Sequence, residues 1–470
     1  MLALEEIKKT QSLRDIAILL GYKPKALSYI LYKIPNKEKY IEFAIPKNNG
    51  QYREIKAPIV QLKTLQKRLA ELLNKCFEEI LKKSKHKRSI SHGFRKEHSI
   101  NTNANKHKNK RHVFNVDLQD FFPSINFGRV RGYFIKNIHF ELNPKVSTII
   151  AQIACHDNEL PQGSPCSPII SNLIGHLLDI RMVNLAKKAK CTYSRYADDL
   201  TFSTNKKDFP ARIAIRKNGS DNEWIAGAVL KREIEKVGFK INAKKTSLQN
   251  KAKRQVVTGL VVNKKVNIKR DYYRRAKSMC HALFQSDEFY IDCKHIPELS
   301  ISDNSKKSES SSPDSAETLL EGSQSEKRVI GNINQLEGIL SFIFYVKSLH
   351  DDRKIGNKRY KPTAVMRLYR EFLFYKHFFI LDQPLIICEG KTDIIYLKCA
   401  LRQLKNEYVE LIHKKDDDFI FTIGFLNLSN NFRNVCAISA GTSGLASLID
   451  IYETHMKPFK GQGKKYPVII

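Results

Sequence analysis

The chain has 470 residues, too many for one typical hydrophobic core, so two or three domains are expected. Its 81 Lys and Arg against 48 Asp and Glu leave a formal charge of +33, far beyond what solubility requires and suited to a polyanion such as nucleic acid. With no run of 18 or more apolar residues, no charged-then-apolar N-terminal order and nine scattered cysteines without a Cys-x-x-Cys pair, the pattern argues against a membrane protein, a secreted disulfide scaffold or a zinc site, and a cytoplasmic protein is expected.

Residues 5–36 carry Leu13, Ile16, Leu19 and Leu20, then Leu27, Ile30 and Leu31 after Gly21, at helical spacing. The period then changes. Residues 40–46 alternate as a strand, Asn48-Asn49-Gly50 signals a turn, and residues 52–58 return as a second strand. On this basic hairpin Lys47 and Arg53 are suited to clamp phosphates, or simply to face solvent. Leu62, Leu65, Leu69, Leu72, Leu73 and Ile80 mark a long amphipathic helix over 61–82. A basic, polar stretch over 89–110, holding His92-Gly93-Phe94-Arg95, leads into the apolar strand Val113-Phe114-Asn115-Val116-Asp117 and then Leu118-Gln119-Asp120-Phe121-Phe122.

The Pro/Gly-punctuated loop Leu160-Pro161-Gln162-Gly163-Ser164-Pro165 opens a helix, where backbone amides either meet a nucleotide or cap a core helix. Further on, Tyr196-Ala197-Asp198-Asp199 lies between apolar strands as a hairpin with acids at its turn. Two such carboxylates hold a divalent metal or make a solvated acidic turn. Asp117, 81 residues before Asp198, offers a third, and a carboxylate set of this kind serves two-metal phosphoryl transfer. Gly238-Phe239-Lys240-Ile241-Asn242-Ala243-Lys244-Lys245-Thr246 completes the serial elements of a βαββαβ-like palm.

In this order the elements resemble reverse transcriptases over roughly residues 10–350. Asn103-Ala104-x-x-His107 and Val257-Thr258-Gly259 are similar to two signatures of the bacterial retron enzymes. The resemblance implies an α+β right-hand polymerase, with N-terminal helices and fingers in 1–116, palm in 117–265, and thumb and RNA-binding region in 266–380. It implies that Asp117, Asp198 and Asp199 are catalytic ligands of two Mg2+ ions, with Mn2+ as a substitute. Arg53 and Arg95 would contact the triphosphate, Gln162 would neighbour the incoming nucleotide, and Lys245, with Lys244 competing, would lie near the pyrophosphate. Phe122, five residues after Asp117, falls where a steric gate excludes the 2′-hydroxyl; ordinary core is its other reading.

The implied partners are deoxynucleotides and a cognate structured non-coding RNA that is primer and template, extended from an internal guanosine 2′-hydroxyl into branched RNA–DNA (msDNA). Asn103, His107, Val257, Thr258 and Gly259 would serve RNA binding, and such complexes would assemble into an oligomer. Lys269, Arg270, Arg274 and Arg275 surround Tyr272-Tyr273, a cationic run with aromatics that suits an RNA backbone and its bases.

Residues 297–328 are Ser/Glu/Asp-rich and read as a disordered insertion interrupting the thumb. From 384 to 470 a partial α/β domain is expected. Leu385-Ile386-Ile387-Cys388-Glu389-Gly390-Lys391-Thr392-Asp393 resembles the first motif of Toprim domains, with Glu389, Gly390 and Asp393 as its site residues. Tyr466-Pro467-Val468-Ile469-Ile470 reads as a buried strand, after which the resemblance places an Asp-x-Asp pair, so the domain is expected to be truncated and nuclease activity is not. In retron systems such a domain would be the effector of anti-phage defence. Two rivals remain at this stage: a group II intron-type reverse transcriptase or maturase, and an RNA-binding scaffold whose main output is the C-terminal nuclease-like effector.

Overall fold

Val113, Phe114, Val116 and Leu118 are each at most 2% exposed in the computed structural model, and they form the central strand of the first of two compact units, Met1–Asn267 and Ile268–Ile470. The structure describes residues 2–47, 52–83, 90–217, 219, 223–292, 328–349, 362–415, 418–463 and 465–470. The turn expected at Asn48-Asn49-Gly50 and the insertion expected at 297–328, apart from Arg328, lie outside the described residues.

The first unit opens with helices α1 (Ala3–Lys9), α2 (Leu13–Leu19) and α3 (Pro24–Ser28), the strands β1 (Tyr40–Pro46) and β2 (Tyr52–Pro58), α4 (Val60–Lys83) and α5 (Ile100–Asn105). Then come β3 (His112–Gln119), α6 (Phe127–Lys136), α7 (Pro144–Ala154), α8 (Ser167–Ala189), β4 (Thr192–Tyr196) and β5 (Asp199–Thr204). A small hairpin, β6 (Ala214–Arg216) and β7 (Trp224–Ala226), precedes α9 (Ala228–Glu235), β8 (Lys240–Ile241), β9 (Ser247–Asn250), β10 (Val256–Val257) and β11 (Leu260–Val261).

The main sheet runs β4-β5-β3-β8, and β9 also pairs with β3, all antiparallel. Having partners on both edges, β3 buries residues of both faces, and the strict alternation of a half-exposed strand is lost. Leucines of α4 at positions 62, 65, 69 and 73, each at most 3% exposed, bring one helical stripe to the same core. α8 is, among the described residues, the one helix long and apolar enough to cross a membrane, yet most of it is buried in this core.

A buried ion pair positions the β4–β5 hairpin. Arg195 on β4 is 0% exposed; its Nε and Nη2 donate to the two carboxylate oxygens of Asp179 on α8, both at 2.8 Å, and Nη1 donates to the Ala197 carbonyl at 3.1 Å. Tyr193 Oη also donates to Asp179, at 2.9 Å. Burial works against the guanidinium charge, but Asp179 more than restores it, holding Arg195 above its usual pKa. Gly175, one helical turn before Asp179, leaves the space: a Cβ there would lie 2.8 Å from the guanidinium.

The second unit contains α10 (Arg270–Ser286), the antiparallel strands β12 (Tyr290–Asp292) and β13 (Arg328–Ile330), α11 (Ile333–Ser348) and α12 (Ala364–Phe374). β14 (Leu385–Ile387), α13 (Lys391–Gln403), β15 (Ile412–Lys415), β16 (Asp418–Phe421), β17 (Gly424–Leu426), α14 (Asn430–Cys436), α15 (Thr442–Met456) and β18 (Val468–Ile469) follow. Tyr369, Phe372, Phe374, Tyr375 and Phe378, at most 1% exposed, make an aromatic core. β17, β14 and β18 form a parallel sheet in that order. The buried strand expected at the end of the chain is corrected in its burial: β18 pairs with β14, and Ile469 is 52% exposed.

Removing one partner of a buried pair strands the other charge, at a cost of roughly 3–5 kcal/mol. Arg195→Met is therefore expected to lower the urea midpoint of the first unit's unfolding strongly. The double variant Arg195→Met/Asp179→Leu should regain more than half of the loss.

Candidate functional site

Strand register brings the acids together. Asp117, near the end of β3, lies directly opposite Asp199, the first residue of β5, and Leu118 N donates to the Asp198 carbonyl at 3.1 Å. Tyr196 pairs with Asp199, so Ala197-Asp198 form a two-residue turn in which Ala197 takes the left-handed φ of 53°. Asp117 is 8% exposed, and Asp198 and Asp199 are half-buried.

Burial, with Asp198 and Asp117 nearby, pushes Asp199 up to about 7. Burial and Asp117 likewise raise Asp198, against the pull of Lys245 and Arg53. The cluster thus holds more negative charge than its surroundings neutralise. Lys245 Nζ, 3.1 Å from Asp117 Oδ2, is the cation paired with it, and Lys244 makes no such contact among the described residues. Asn242 Nδ2 donates to Asp117 Oδ1 at 3.3 Å.

β2 is tied to the loop before α8 by the Lys56 amide, which donates to the Gln162 carbonyl at 2.8 Å. Lys47, Arg53, Lys56, Pro123 and Gln162 line a cavity of about 140 Å3, adjoining Phe122 in sequence. Lys56 Nζ is itself held by Glu159 and Asp157, both at 3.2 Å, and by Glu42 at 3.6 Å. Arg95 is not among the residues that line this cavity; its guanidinium lies over the Phe77 ring, 5.5 Å from the centroid, and Nη1 is buried without a hydrogen-bond partner among the described residues.

The two signatures meet behind the hairpin, and here the expected surface role is corrected. Asn103 and His107 are 0% exposed, so neither touches RNA directly. His107 Nε2 and Nδ1 lie 2.7 and 2.8 Å from the hydroxyls of Ser194 on β4 and Ser203 on β5, while Ser194 donates to Asn103 Oδ1 at 2.5 Å. Because the Ser194 proton is committed to Asn103, His107 Nε2 is the donor and Nδ1 accepts from Ser203, which is the neutral ring. Burial agrees, holding His107 down at about 3. Val257 is also buried. Thr258 and Gly259, at φ 45° and 84°, turn β10 into β11, and Thr258 Oγ1 donates to the Ile100 carbonyl of α5 at 3.1 Å.

Outside this scaffold the surface is basic. Segments 98–116 and 242–270 contain no Asp or Glu, a signal already present in the sequence. They are joined by Asn109 N donating to the Val262 carbonyl at 2.9 Å and by Gln255 Nε2 donating to those of Lys110 and Arg111. Lys106, Lys108, Arg111, Lys251, Lys264 and Lys265 are exposed there. In the second unit Lys269, Arg270 and Arg274 are exposed and Arg275 is half-buried.

The second unit has its own pocket of about 740 Å3, at the end of β14 where α13, α14 and α15 begin. Glu389 Oε2 accepts from Thr442 Oγ1 at 3.0 Å, Asp393 Oδ2 accepts from Gly390 N at 2.9 Å, and Arg433 lines the same space. Ligands of open parallel sheets bind at this edge of the strands.

The family model described as reverse transcriptase (RNA-dependent DNA polymerase) matches residues 45–262. The chain is similar to the retron Ec73 reverse transcriptase of Escherichia coli, 33% identical over 233 residues covering 46% of this chain and 67% of that protein. It is also similar to the retron Mx65 reverse transcriptase of Myxococcus xanthus, 32% identical over 305 residues, 61% of this chain and 66% of that protein, just under two thirds of its length. Among solved structures, apo telomerase from Candida tropicalis truncated from its C-terminal domain aligns with a TM-score of 0.33 and 13% identity, over 53% of this chain and 61% of that one.

Two pH dependences follow from the buried groups. For Asp199, raised from 3.8 to about 7, the folded chain binds more protons than the unfolded one, so metal-free stability falls as pH rises through that window. Asp199→Asn is expected to raise the melting temperature of the chelator-treated protein by about 2 °C or more above about pH 7, and to leave it unchanged near pH 4. For His107, lowered from 6.5 to about 3, the sign is opposite: its contribution is present above 6.5 and lost as pH falls toward 3. His107→Gln should flatten the fall of the urea midpoint over that range.

Proposed function

Because the chain belongs to the retron reverse transcriptase family, we propose that it is an RNA-directed DNA polymerase that uses a cognate structured RNA as primer and template and extends it into branched RNA–DNA. The observation that carries this reading is the convergence of Asp117, Asp198 and Asp199 at one end of two inner strands, with Arg53, which lines a small cavity, close enough to act on Asp198.

Three hard oxygen donors with one paired ammonium and two raised pKa values fit divalent cations, Mg2+ or Mn2+, held by Asp117, Asp198 and Asp199. Ions bound there supply activation of the attacking hydroxyl and neutralisation of the leaving pyrophosphate. Arg53 and Lys47 bind the triphosphate from the hairpin, Gln162 borders the nucleotide, and Lys245 brings a positive charge to the acids. Phe122 lies beneath the sugar and rejects a 2′-hydroxyl by contact. The acid-free surface of the first unit and the exposed Lys269, Arg270 and Arg274 of the second hold RNA phosphates, a grip that salt weakens steeply.

In the same reading the pocket around Glu389 and Asp393 is Toprim-like and belongs to the effector side of an anti-phage system, restrained by the RNA–DNA complex. Its acids just beyond the C-terminal end of the central parallel strand, one at the start of α13, favour this.

With the cognate RNA and Mg2+, the full chain is expected to incorporate labelled deoxynucleotides, and Asp198→Ala to reduce incorporation at least about a hundredfold. RNase followed by debranching enzyme should release a short DNA from a 2′,5′ linkage. Full synthesis by Asp198→Ala would overturn the catalytic role of these acids, and a wild type that binds the RNA but incorporates nothing would leave the RNA-binding scaffold in its place.

A further inference from the structure

One aromatic ring beside the acids has no part in the chemistry above. Phe94 is 46% exposed, and its φ of 57° lies in the left-handed region, a strained place for a side chain with a Cβ. Its neighbours impose this conformation. Gly93 lies so close to the hairpin tip that a Cβ there would be 2.6 Å from the Ala197 nitrogen. The Gly93 carbonyl accepts from Asn172 Nδ2 at 2.9 Å, and His92 N donates to the Arg195 carbonyl at 2.7 Å. The chain is thus pinned to the tip that carries Asp198 just before Phe94, and the backbone turn directs the ring outward from it.

The ring meets Phe122. Their centroids are 6.1 Å apart at 58°, and Phe122 also meets Phe121 edge-on, at 5.4 Å and 70°. The Phe121 contact is anchored: Phe121 is 3% exposed and stacks on Phe239 at 5.4 Å, and the Arg129 guanidinium lies 4.0 Å over Phe239. Phe94 is the one other aromatic contact of Phe122 among the described residues. An apolar ring left exposed beside a candidate active site, on backbone that its neighbours hold in a strained conformation, is the pattern of a positioning residue, since burial does not account for the ring.

We infer that Phe94 is the outer wall of the sugar pocket, a positioning residue that keeps the Phe122 ring from swinging away from an incoming 2′-hydroxyl. The inference rests on the polymerase reading above and adds to it a residue acting through Phe122. One aromatic pair of this kind corresponds to about a 2- to 10-fold change in an equilibrium.

The test uses the full chain with its RNA and Mg2+ and compares kcat/KM for a deoxynucleotide and its ribonucleotide. Phe94→Ala is expected to raise the ribonucleotide's relative kcat/KM by about 2- to 10-fold, through a lower ribonucleotide KM, with deoxynucleotide kcat retained. Phe94→Tyr, which keeps the ring, should retain wild-type selectivity, and Phe122→Ala should relax it further. Phe94→Leu reports the same ratio if the alanine variant does not fold. A purely structural role would slow both substrates alike. An unchanged ratio in the Phe94 variants, with Phe122→Ala relaxed, overturns the inference alone. An unchanged ratio in Phe122→Ala, or a wild type that incorporates no deoxynucleotide, overturns the gate or the polymerase reading and the inference with it.

Discussion

The geometry of the acids depends on a charge pair that never meets solvent. Arg195 joins three segments: its guanidinium is clamped by Asp179 of α8, it donates to the Ala197 carbonyl at the hairpin tip, and its backbone pairs with Ile90 and His92. A buried ion pair stabilises little relative to apolar residues of the same shape, but leaving either charge alone is costly. What the pair supplies is location. With the tip fixed against α8, Asp198 and Asp199 project from a hairpin that cannot drift relative to Asp117.

The retron signatures extend the same support from behind. Ser203, His107, Ser194 and Asn103 form a chain of hydrogen bonds across β5 and β4, and Thr258 docks the β10–β11 turn on α5. Residues resembling RNA-recognition motifs thus act inside the protein. The surface they hold in shape consists of lysines and arginines contributed by two segments without a carboxylate.

Much of the first unit was legible because its signals are local. An apolar strand ending at Asp117, a hairpin with acids at its turn and the leucine spacing of α4 each declare themselves within a dozen residues. What stayed hidden were polar groups whose partners come from far away. Asp179 and Arg195 look like surface charges until α8 and β4 are packed together, and His107 looks like part of a basic face until two serines enclose it. The contact of Arg95 stayed hidden for the same reason, because its ring partner Phe77 belongs to α4, earlier in the chain.

The pairing of Asp117 with Asp199 has a consequence for how such proteins diverge. Between the two acids lie three helices and the strand β4, and the loops that join the helices can change in length without moving either carboxylate, because both acids are anchored in hydrogen-bonded strands. A single residue inserted within the last turns of either strand is another matter, since it would shift the register by one and carry the acid to the opposite face of the sheet. The spacing of the acids along the chain is therefore free to vary, whereas the phase of each carboxylate within its strand is fixed by the sheet.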